Sequence, residues 1–298
     1  MLPIARIQPL TETSITALIE KAGGRRAHED QDRRAEKNAD YRLGTSIIEL
    51  KLLDDEGLTK PERQEKIASL FAASQPGRPV VIIDPSILTS DGRREYTKIM
   101  QGPIQGAVRS ARKQLKQSRC EDAEAQTSIL FVINNGFSAL SHEELKEHVV
   151  RRAKNDTDEI DGVVVAGCYL HGDGFDTVAL WPITYEQIKP GRPFPEFETL
   201  RMAWNELSNR HMTDFVQGKH GQNAVKKTQQ DIVFDVGGLT FVKPATPLGK
   251  KSDFYGARRP RFNEVGFDNV KHVAITVPAM SSVEYRRIRA AMLTTRDC

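Results

Sequence analysis

The sequence predicts a mixed α/β fold, because apolar runs of strand length alternate with amphipathic segments of helix length along most of the chain. The clearest apolar runs are those at residues 46–53, 79–84, 128–133 and 163–169. The amphipathic segments cover residues 12–22, 60–73, 104–119 and 141–154. A hydrophobic fraction of 39% over 298 residues is enough to bury the core of one large domain or of two smaller ones.

Composition also limits where the protein acts. No stretch of about 18 apolar residues is present, so no membrane-spanning helix is expected. Pro3 and Pro9 interrupt the apolar start, which argues against a signal peptide. Cys120, Cys168 and Cys298 are odd in number and far apart, which argues against a disulfide framework and a cysteine-based zinc site. We therefore expect a cytoplasmic protein without a membrane partner.

The first elements form a helix followed by a hairpin. A helix is predicted at residues 12–22, and a charged segment without periodicity, residues 25–37, is interpreted as a solvated connector. Two strands follow at 38–43 and 46–53, and Gly44 is the turn residue between them.

The middle of the chain continues with a helix at residues 60–73, in which Pro61 occupies the first turn, and with a central strand at 79–84. Residues 86–102 predict a polar loop, and the next helix is expected at 104–119. Further strands are predicted at residues 128–133, 163–169 and 177–181, and further helices at 141–154 and 196–215.

The composition changes near residue 218. We therefore divide the chain into a main domain, residues 1–217, and a C-terminal α+β extension, residues 218–298. The extension contains a predicted Gly-Gly hairpin at 231–242, a last strand at 272–277 and a last helix at 281–292.

Two charges stand inside the apolar strand at 46–53, in which five of the eight residues are Ile or Leu. Because strand side chains alternate between faces, Glu49 and Lys51 share one face with two apolar residues, and we expect that face to be covered. A buried charge costs several kcal/mol unless it has a partner, a metal ion or a chemical role. Hairpin pairing brings Asp40 level with Glu49, so two carboxylates and a lysine should converge.

This grouping suits phosphodiester hydrolysis. Carboxylates are the oxygen ligands that Mg²⁺ prefers, and Mg²⁺ keeps several waters when it binds. The metal lowers the pKa of a bound water and offsets charge that develops on the phosphate. A lysine nearby can orient that water or stabilise the phosphate.

Asp40 followed by the segment 48–51, Ile-Glu-Leu-Lys, resembles the catalytic motif of the PD-(D/E)XK nuclease superfamily. The resemblance covers about residues 10–185. It implies a restriction-endonuclease-like core, in which a mixed central sheet is flanked by helices in the order α-β-β-β-α-β. The third strand would be 79–84, and the superfamily's metal-binding acids and its lysine fall on Asp40, Glu49 and Lys51.

The same resemblance implies two further site residues. The additional acid that many members take from the first helix falls on Glu20, with Glu12 as the other choice. The glutamine that many members carry on the helix after the third strand falls on Gln114. One departure is Ala39, which stands where the motif has proline.

In functional terms the resemblance implies an endonuclease that hydrolyses DNA with Mg²⁺, or with Mn²⁺ as a substitute, in restriction, phage defence or repair. RNA remains open as a substrate. A homodimer and partner proteins of a defence or repair system are implied as well. Two alternatives stay open: a nucleic-acid-binding or assembly module that keeps the nuclease fold without cleaving, and a metal-free scaffold in which Glu49 and Lys51 form a buried ion pair.

The helix predicted at 104–119 carries five basic residues and no acid. Solvated helix faces usually mix both signs, so this basic ridge indicates contact with a phosphate backbone, with an ordinary solvated face as the alternative. A second basic stretch, 249–261, interleaves aromatic residues with charge and is either a DNA-contacting arm or a surface loop. The residues assigned to nucleic-acid binding are Arg109, Arg112, Lys113, Lys116, Arg119, Lys250, Lys251, Arg258 and Arg259.

Overall fold

Five helices and eleven strands are seen in the computed structural model, which describes residues 10–28, 38–53, 58, 60–135, 140–172, 177–217 and 232–244. The helices are α1 (Glu12–Lys21), α2 (Pro61–Ala72), α3 (Ser90–Glu121), α4 (His142–Asp156) and α5 (Phe197–Val216). The strands are β1 (Arg25–Arg26), β2 (Tyr41–Leu43), β3 (Ser46–Leu53), β4 (Val80–Ile82), β5 (Thr127–Asn134), β6 (Gly162–Gly167), β7 (Tyr169–Gly172), β8 (Thr177–Leu180), β9 (Ile183–Gln187), β10 (Ile232–Val236) and β11 (Leu239–Lys243).

A mixed six-stranded sheet forms the centre of the fold, in the order β1-β2-β3-β5-β6-β9. Strands β3, β5 and β6 are parallel, and β1, β2 and β9 pair antiparallel with their neighbours. Residues of α3 and α4 pack on one face of the sheet, and residues of α1 and α5 pack on the other. Helix α2 packs against α3 and against strands β4 and β10. The predicted α/β class is confirmed.

Strand β5 shows why an unbroken apolar run marks the middle of such a sheet. All eight of its residues are buried. Leu130 and Val132 lie in the core beneath α3 and α4, whereas Ile129 and Phe131 lie in the core beneath α1 and α5. Because both faces are covered, the sequence does not alternate between apolar and polar residues.

Helix α3 is longer than the sequence predicts, and the prediction of a loop at residues 86–102 is wrong. The helix begins at Ser90, where the Thr89 side chain accepts a hydrogen bond from Gly92 N, and it contains Pro103 in its interior. A buried stripe at three- and four-residue spacing runs along its whole length and was hidden by the polar residues between its members. The stripe includes Tyr96, Met100, Ile104, Val108, Ala111 and Leu115.

The prediction that residues 79–84 form the third strand of the core is also wrong. Strand β4 is not central: it pairs in parallel with β11 in a separate sheet of order β10-β11-β4, and Val80 and Ile82 remain 46% and 38% exposed. The strand that joins the β2–β3 hairpin is instead β1, within the expected connector. Both residues of β1 are exposed arginines, so only backbone pairing defines this strand, and no apolar pattern reveals it.

The helix predicted at residues 141–154 and the predicted Gly-Gly hairpin are confirmed. Ser141 and Glu144 form a capping box at the start of α4. The predicted Gly-Gly hairpin joins β10 and β11, with Gly237 and Gly238 at φ values of +60° and +79°. Because β11 pairs with β4, this part of the segment beyond residue 218 shares a sheet with the first 217 residues.

One edge of the central sheet is formed by a strand that was not predicted. Strand β9, which no sequence signal indicated, closes one edge of the central sheet. The strand and helix predicted at 272–277 and 281–292 lie outside the described residues. Within the described part of the chain, no helix combines the length and the apolar character needed to cross a membrane.

Candidate active site

The β2–β3 hairpin places Asp40 beside the strand that carries Glu49. The backbone N–H of Asp40 donates to the Ile48 carbonyl at 3.1 Å, which extends the pairing of the hairpin by one residue. The Asp40 Oδ2 accepts a hydrogen bond from Leu50 N at 2.8 Å. These two hydrogen bonds fix the Asp40 carboxyl next to the backbone between Glu49 and Lys51.

Glu49 is a fully buried carboxylate with one partnered and one unpartnered oxygen. Its side chain is 0% exposed, and Oε1 forms an ion pair with Nζ of Lys51, whose side chain is 20% exposed. The other oxygen, Oε2, is buried and has no hydrogen-bond partner among the described residues. Oδ1 of Asp161 is a second buried carboxylate oxygen without such a partner, so what distinguishes Oε2 of Glu49 is a second carboxyl group, Asp40, beside it.

Helix α3 contacts Lys51 and the segment before β2 through polar side chains. Oε1 of Gln114 accepts hydrogen bonds from Lys51 Nζ at 3.1 Å and from Ser110 Oγ at 2.9 Å. Nε2 of Gln114 donates to the Asn38 carbonyl at 3.3 Å, one helical turn before Ser118 Oγ accepts from Ala39 N at 2.7 Å. Gln114 therefore lies in the site as predicted. The two serines, at i−4 and i+4 from it, were the overlooked signal that this flank of the helix is polar and packed.

Burial raises the pKa values of both carboxyl groups. Burial is the main cause for Glu49, the negative charge of Asp40 adds to it, and Lys51 partly offsets both; the pKa of Glu49 is raised to about 8. Asp40 is an exposed residue, but protein atoms crowd its carboxyl group, and this desolvation raises its pKa. The charge of Glu12 adds to the rise, whereas Leu50 N–H, Lys51 and a hydrogen bond with Glu49 lower the pKa. At neutral pH the pair therefore retains a proton that a cation could displace.

The structure separates the two acids of the first helix. Glu12 pairs with Arg26 at 3.0 Å, and its charge contributes to the raised pKa of Asp40. Glu20 is exposed about two turns further along α1 and is not among the charges that shift the pKa of Asp40 or Glu49. Of the two residues, Glu12 is the one brought towards the site.

The donor set fits Mg²⁺ better than a transition metal. Among the described residues, no group of three or more His, Cys, Asp or Glu side chains is placed to hold a metal ion. Mg²⁺ does not need such a cage, because it commonly binds through one or two carboxylates and fills its other positions with water and phosphate oxygens. Asp40 and the unpartnered Oε2 of Glu49 supply that minimal set.

The predicted basic residues of α3 fall into two groups. Arg119 forms an ion pair with the fully buried Asp161, and Arg112 donates to the Asp156 carbonyl at 3.2 Å. The side chains of Arg109, Lys113 and Lys116 are exposed and form no ion pair within the described part of the chain. The four basic residues assigned to the C-terminal arm lie outside the described residues: Lys250, Lys251, Arg258 and Arg259.

One residue that sequence reasoning missed holds the hairpin turn. Glu196, directly before α5, accepts hydrogen bonds from Thr45 N at 3.2 Å and from Ser46 Oγ at 3.1 Å. Gly44 makes room for it, because a Cβ at this position would lie 1.9 Å from Glu196 Oε1, and Gly44 also adopts a φ of +56°. The glycine was recognised as a turn residue, but nothing local in the sequence pointed to a partner so far along the chain.

Comparisons with models of protein families, with curated proteins and with solved structures find no match for the chain. The interpretation of the site therefore rests on its own geometry and chemistry.

Proposed function

We propose that the chain is a Mg²⁺-dependent nuclease of the PD-(D/E)XK type that hydrolyses phosphodiester bonds of DNA. The observation that carries this proposal is the convergence of Asp40, Glu49, Lys51 and Gln114 in one connected cluster, with a buried carboxylate oxygen left unpartnered. A structural ion pair alone does not require a second carboxyl group beside it. A hydrolytic site does, because it must hold a cation.

The order of the elements supports the proposal as well. Helix α1 is followed by three strands that pair antiparallel, β1, β2 and β3, and then by α3 and by β5, which is parallel to β3. This order is consistent with the α-β-β-β-α-β order that the resemblance implies, with α2 and β4 as an insertion between β3 and α3. The three strands differ from those expected from the sequence, but their order agrees.

Each residue has a role that follows from its contacts. Asp40 and Glu49 would hold Mg²⁺, which supplies an activated water and positive charge for the phosphate. The Lys51 ammonium group has three donors, of which Glu49 and Gln114 take two, so one remains for the attacking water or a phosphate oxygen. Gln114 fixes the lysine through a second hydrogen bond and so reduces the freedom of its four-carbon chain.

Cleavage assays test the proposal. Folded wild-type protein should cut at least one of supercoiled DNA, linear duplex DNA, single-stranded DNA or RNA with Mg²⁺ or Mn²⁺. Lys51→Met keeps the length of the side chain but removes its charge, and we expect it to lower the cleavage rate about 10²–10³-fold. Lys98→Met is the matched control, because Lys98 lies exposed on α3 and pairs with Glu95 at 3.1 Å; its rate should equal that of the wild type.

Two results would contradict the proposal. If folded wild-type protein cuts no nucleic acid with either metal but still binds it, the non-cleaving module is favoured. If Lys51→Met cuts as fast as the wild type, the chemistry does not occur at this cluster.

A further inference from the structure

Helix α3 has two polar flanks that face in different directions. Gln114 and Ser118 contact the segment before β2, and Ser110 contacts Gln114, so this flank belongs to the candidate active site. Arg112 and Arg119 reach the other way, towards the end of α4 and the residues that follow it. Positions two residues apart, such as 112 and 114, are about 200° apart around a helix, so the basic flank does not border the site directly.

On that second flank lies an open groove of about 570 Å³ between α3 and the C-terminal end of α4. Four basic residues line it: Arg112, Lys113 and Lys116 from α3 and Lys154 from the last turn of α4. All four are exposed, and none forms an ion pair with a described residue. Three other basic residues of the same helix are paired: Arg94 with Asp91, Lys98 with Glu95 and Arg119 with Asp161.

The groove also contains three acids, which do not cancel this charge. Asp156 is already paired with Arg152 at 3.4 Å, which leaves Asp158 and Glu159 against the four cations. Positive charge therefore predominates, and unpaired cations of this kind attract a polyanion.

A path without acids connects the groove to the candidate active site. Residues 102–119 contain no Asp or Glu, so every side chain between the two flanks is neutral or basic. Exposed Ser110, Gln117 and Lys113 follow one another around the solvent face of the helix, and a Cβ added at exposed Gly106 would meet nothing within 4 Å. A negatively charged strand can thus lie against this face without repulsion from α3 itself.

From these observations we infer that a nucleic-acid strand crosses the solvent face of α3, with one phosphate at the Glu49–Lys51 cluster and others in the groove lined by Arg112, Lys113, Lys116 and Lys154. This inference rests on the proposed function and adds a second contact region to it. A helix with its side chains is 10–12 Å wide, so the path around half of it is about 15 Å. At about 3.4 Å per nucleotide, the anchored phosphates lie about four or five nucleotides from the scissile bond. The substrate must therefore be long enough to span both regions.

The test compares two triple variants with equal loss of charge. Lys113→Gln/Lys116→Gln/Lys154→Gln removes three lysines of the groove. Lys60→Gln/Lys66→Gln/Lys98→Gln removes three exposed lysines elsewhere and is the control. Binding is measured in EDTA by fluorescence anisotropy over a range of salt concentrations, with labelled DNA duplexes of about 24 base pairs and single strands of about 4 nucleotides. Cleavage of the same probes is measured with Mg²⁺.

We expect the groove variant to bind the long duplex at least about tenfold more weakly than the control and to lower the salt slope by about two to three. KM for the long duplex should rise by a similar factor while kcat stays within about twofold, because the chemistry occurs on the other flank. The short strand should not distinguish the two variants. If the groove variant binds the long duplex as the control does, or weakens the short strand equally, the inference is overturned.

Failure of this inference and failure of the proposed function remain distinguishable. Loss of binding in the groove variant without cleavage by any protein supports the second contact region and removes the nuclease proposal. Cleavage that depends on Lys51, together with unchanged binding in the groove variant, supports the nuclease proposal and removes the second contact region.

Discussion

Two buried acid–base pairs in this protein look alike and differ in what surrounds them. Glu49 pairs with Lys51, and Asp161 pairs with Arg119; each carboxylate is 0% exposed, and each cation is partly exposed, at 20% and 25%. Each carboxylate also has one buried oxygen without a hydrogen-bond partner among the described residues, Oε2 of Glu49 and Oδ1 of Asp161. Asp161 nevertheless has additional favourable partners, because Ser128 N donates to its Oδ2 at 2.9 Å and the Lys189 ammonium lies 3.8 Å from its Oδ1.

Glu49 has the opposite surroundings. Its neighbour is a second carboxyl group, Asp40, which raises its pKa further, and its Oε2 has no hydrogen-bond partner within the described residues. The comparison teaches that burial of an ion pair does not by itself indicate function. A carboxylate whose neighbours are two cations is balanced and stabilises the fold, whereas a carboxylate whose neighbour is a second carboxyl group favours binding of an additional cation.

The largest expected difference is in stability. Asp161→Asn should lower the free energy of unfolding by about 3 kcal/mol, because Arg119 and Lys189 lose their buried counter-charge, and should lower Tm by about 6–10 °C. Glu49→Gln should change the free energy by less than about 1 kcal/mol at pH 7, because Glu49 already retains a proton at that pH and glutamine is a neutral replacement of the same size. Urea unfolding measures both variants. An equal loss in the two would favour the metal-free scaffold with a structural Glu49–Lys51 pair.

A smaller effect is expected from pH. The pKa of Glu49 rises from an ordinary value of 4.5 to about 8 in the folded protein, so the folded state holds the proton more tightly than the unfolded chain. Its stabilisation is complete below pH of about 4.5 and is lost as the pH rises through about 8. Wild-type protein should therefore lose about 2–3 kcal/mol between pH 5 and pH 8. Urea unfolding of Glu49→Gln across that range should show a much flatter dependence; an identical slope would contradict the assignment.

The smallest effect concerns metal affinity. Since Glu49 retains a proton at neutral pH, Mg²⁺ binding should release close to one proton at pH 7 and less at pH 9. Calorimetry in buffers with different ionisation enthalpies measures this release. Glu49→Gln should weaken binding at least tenfold, or about 1.4 kcal/mol, whereas Glu95→Gln, at an exposed pair on α3, should bind as the wild type does. Unchanged affinity in Glu49→Gln would place the cation elsewhere.

The candidate site could be predicted because it depends on local rules. Alternation along β3 puts Glu49 and Lys51 on one face, and the hairpin register puts Asp40 beside them. Gln114 followed from the buried stripe of its helix together with the family resemblance. Each of these steps needs only short-range geometry or one packed helix.

The features that sequence reasoning missed depend on distant parts of the chain. Strand β1 consists of two exposed arginines and exists only because β2 offers it a backbone partner. Strand β4 belongs to a second sheet because β11, about 160 residues later, pairs with it. Arg119 forms an ion pair with Asp161, which the spacing of residues in α3 could not predict. The helix predicted as a uniform basic ridge therefore contains one cation with a structural role and several that are exposed.

The hydrogen bonds from Glu196 to the β2–β3 turn have a consequence for how the protein is made. They join residues that are 150 and 151 positions apart, and they require Gly44 to leave space for the carboxylate. During synthesis the ribosome therefore produces Asp40, Glu49 and Lys51 long before the residue that secures their hairpin. The same applies to β5, which flanks β3 and is translated about 80 residues later. The nascent chain carries the residues of the candidate site early, but it completes their support only when α5 begins to emerge.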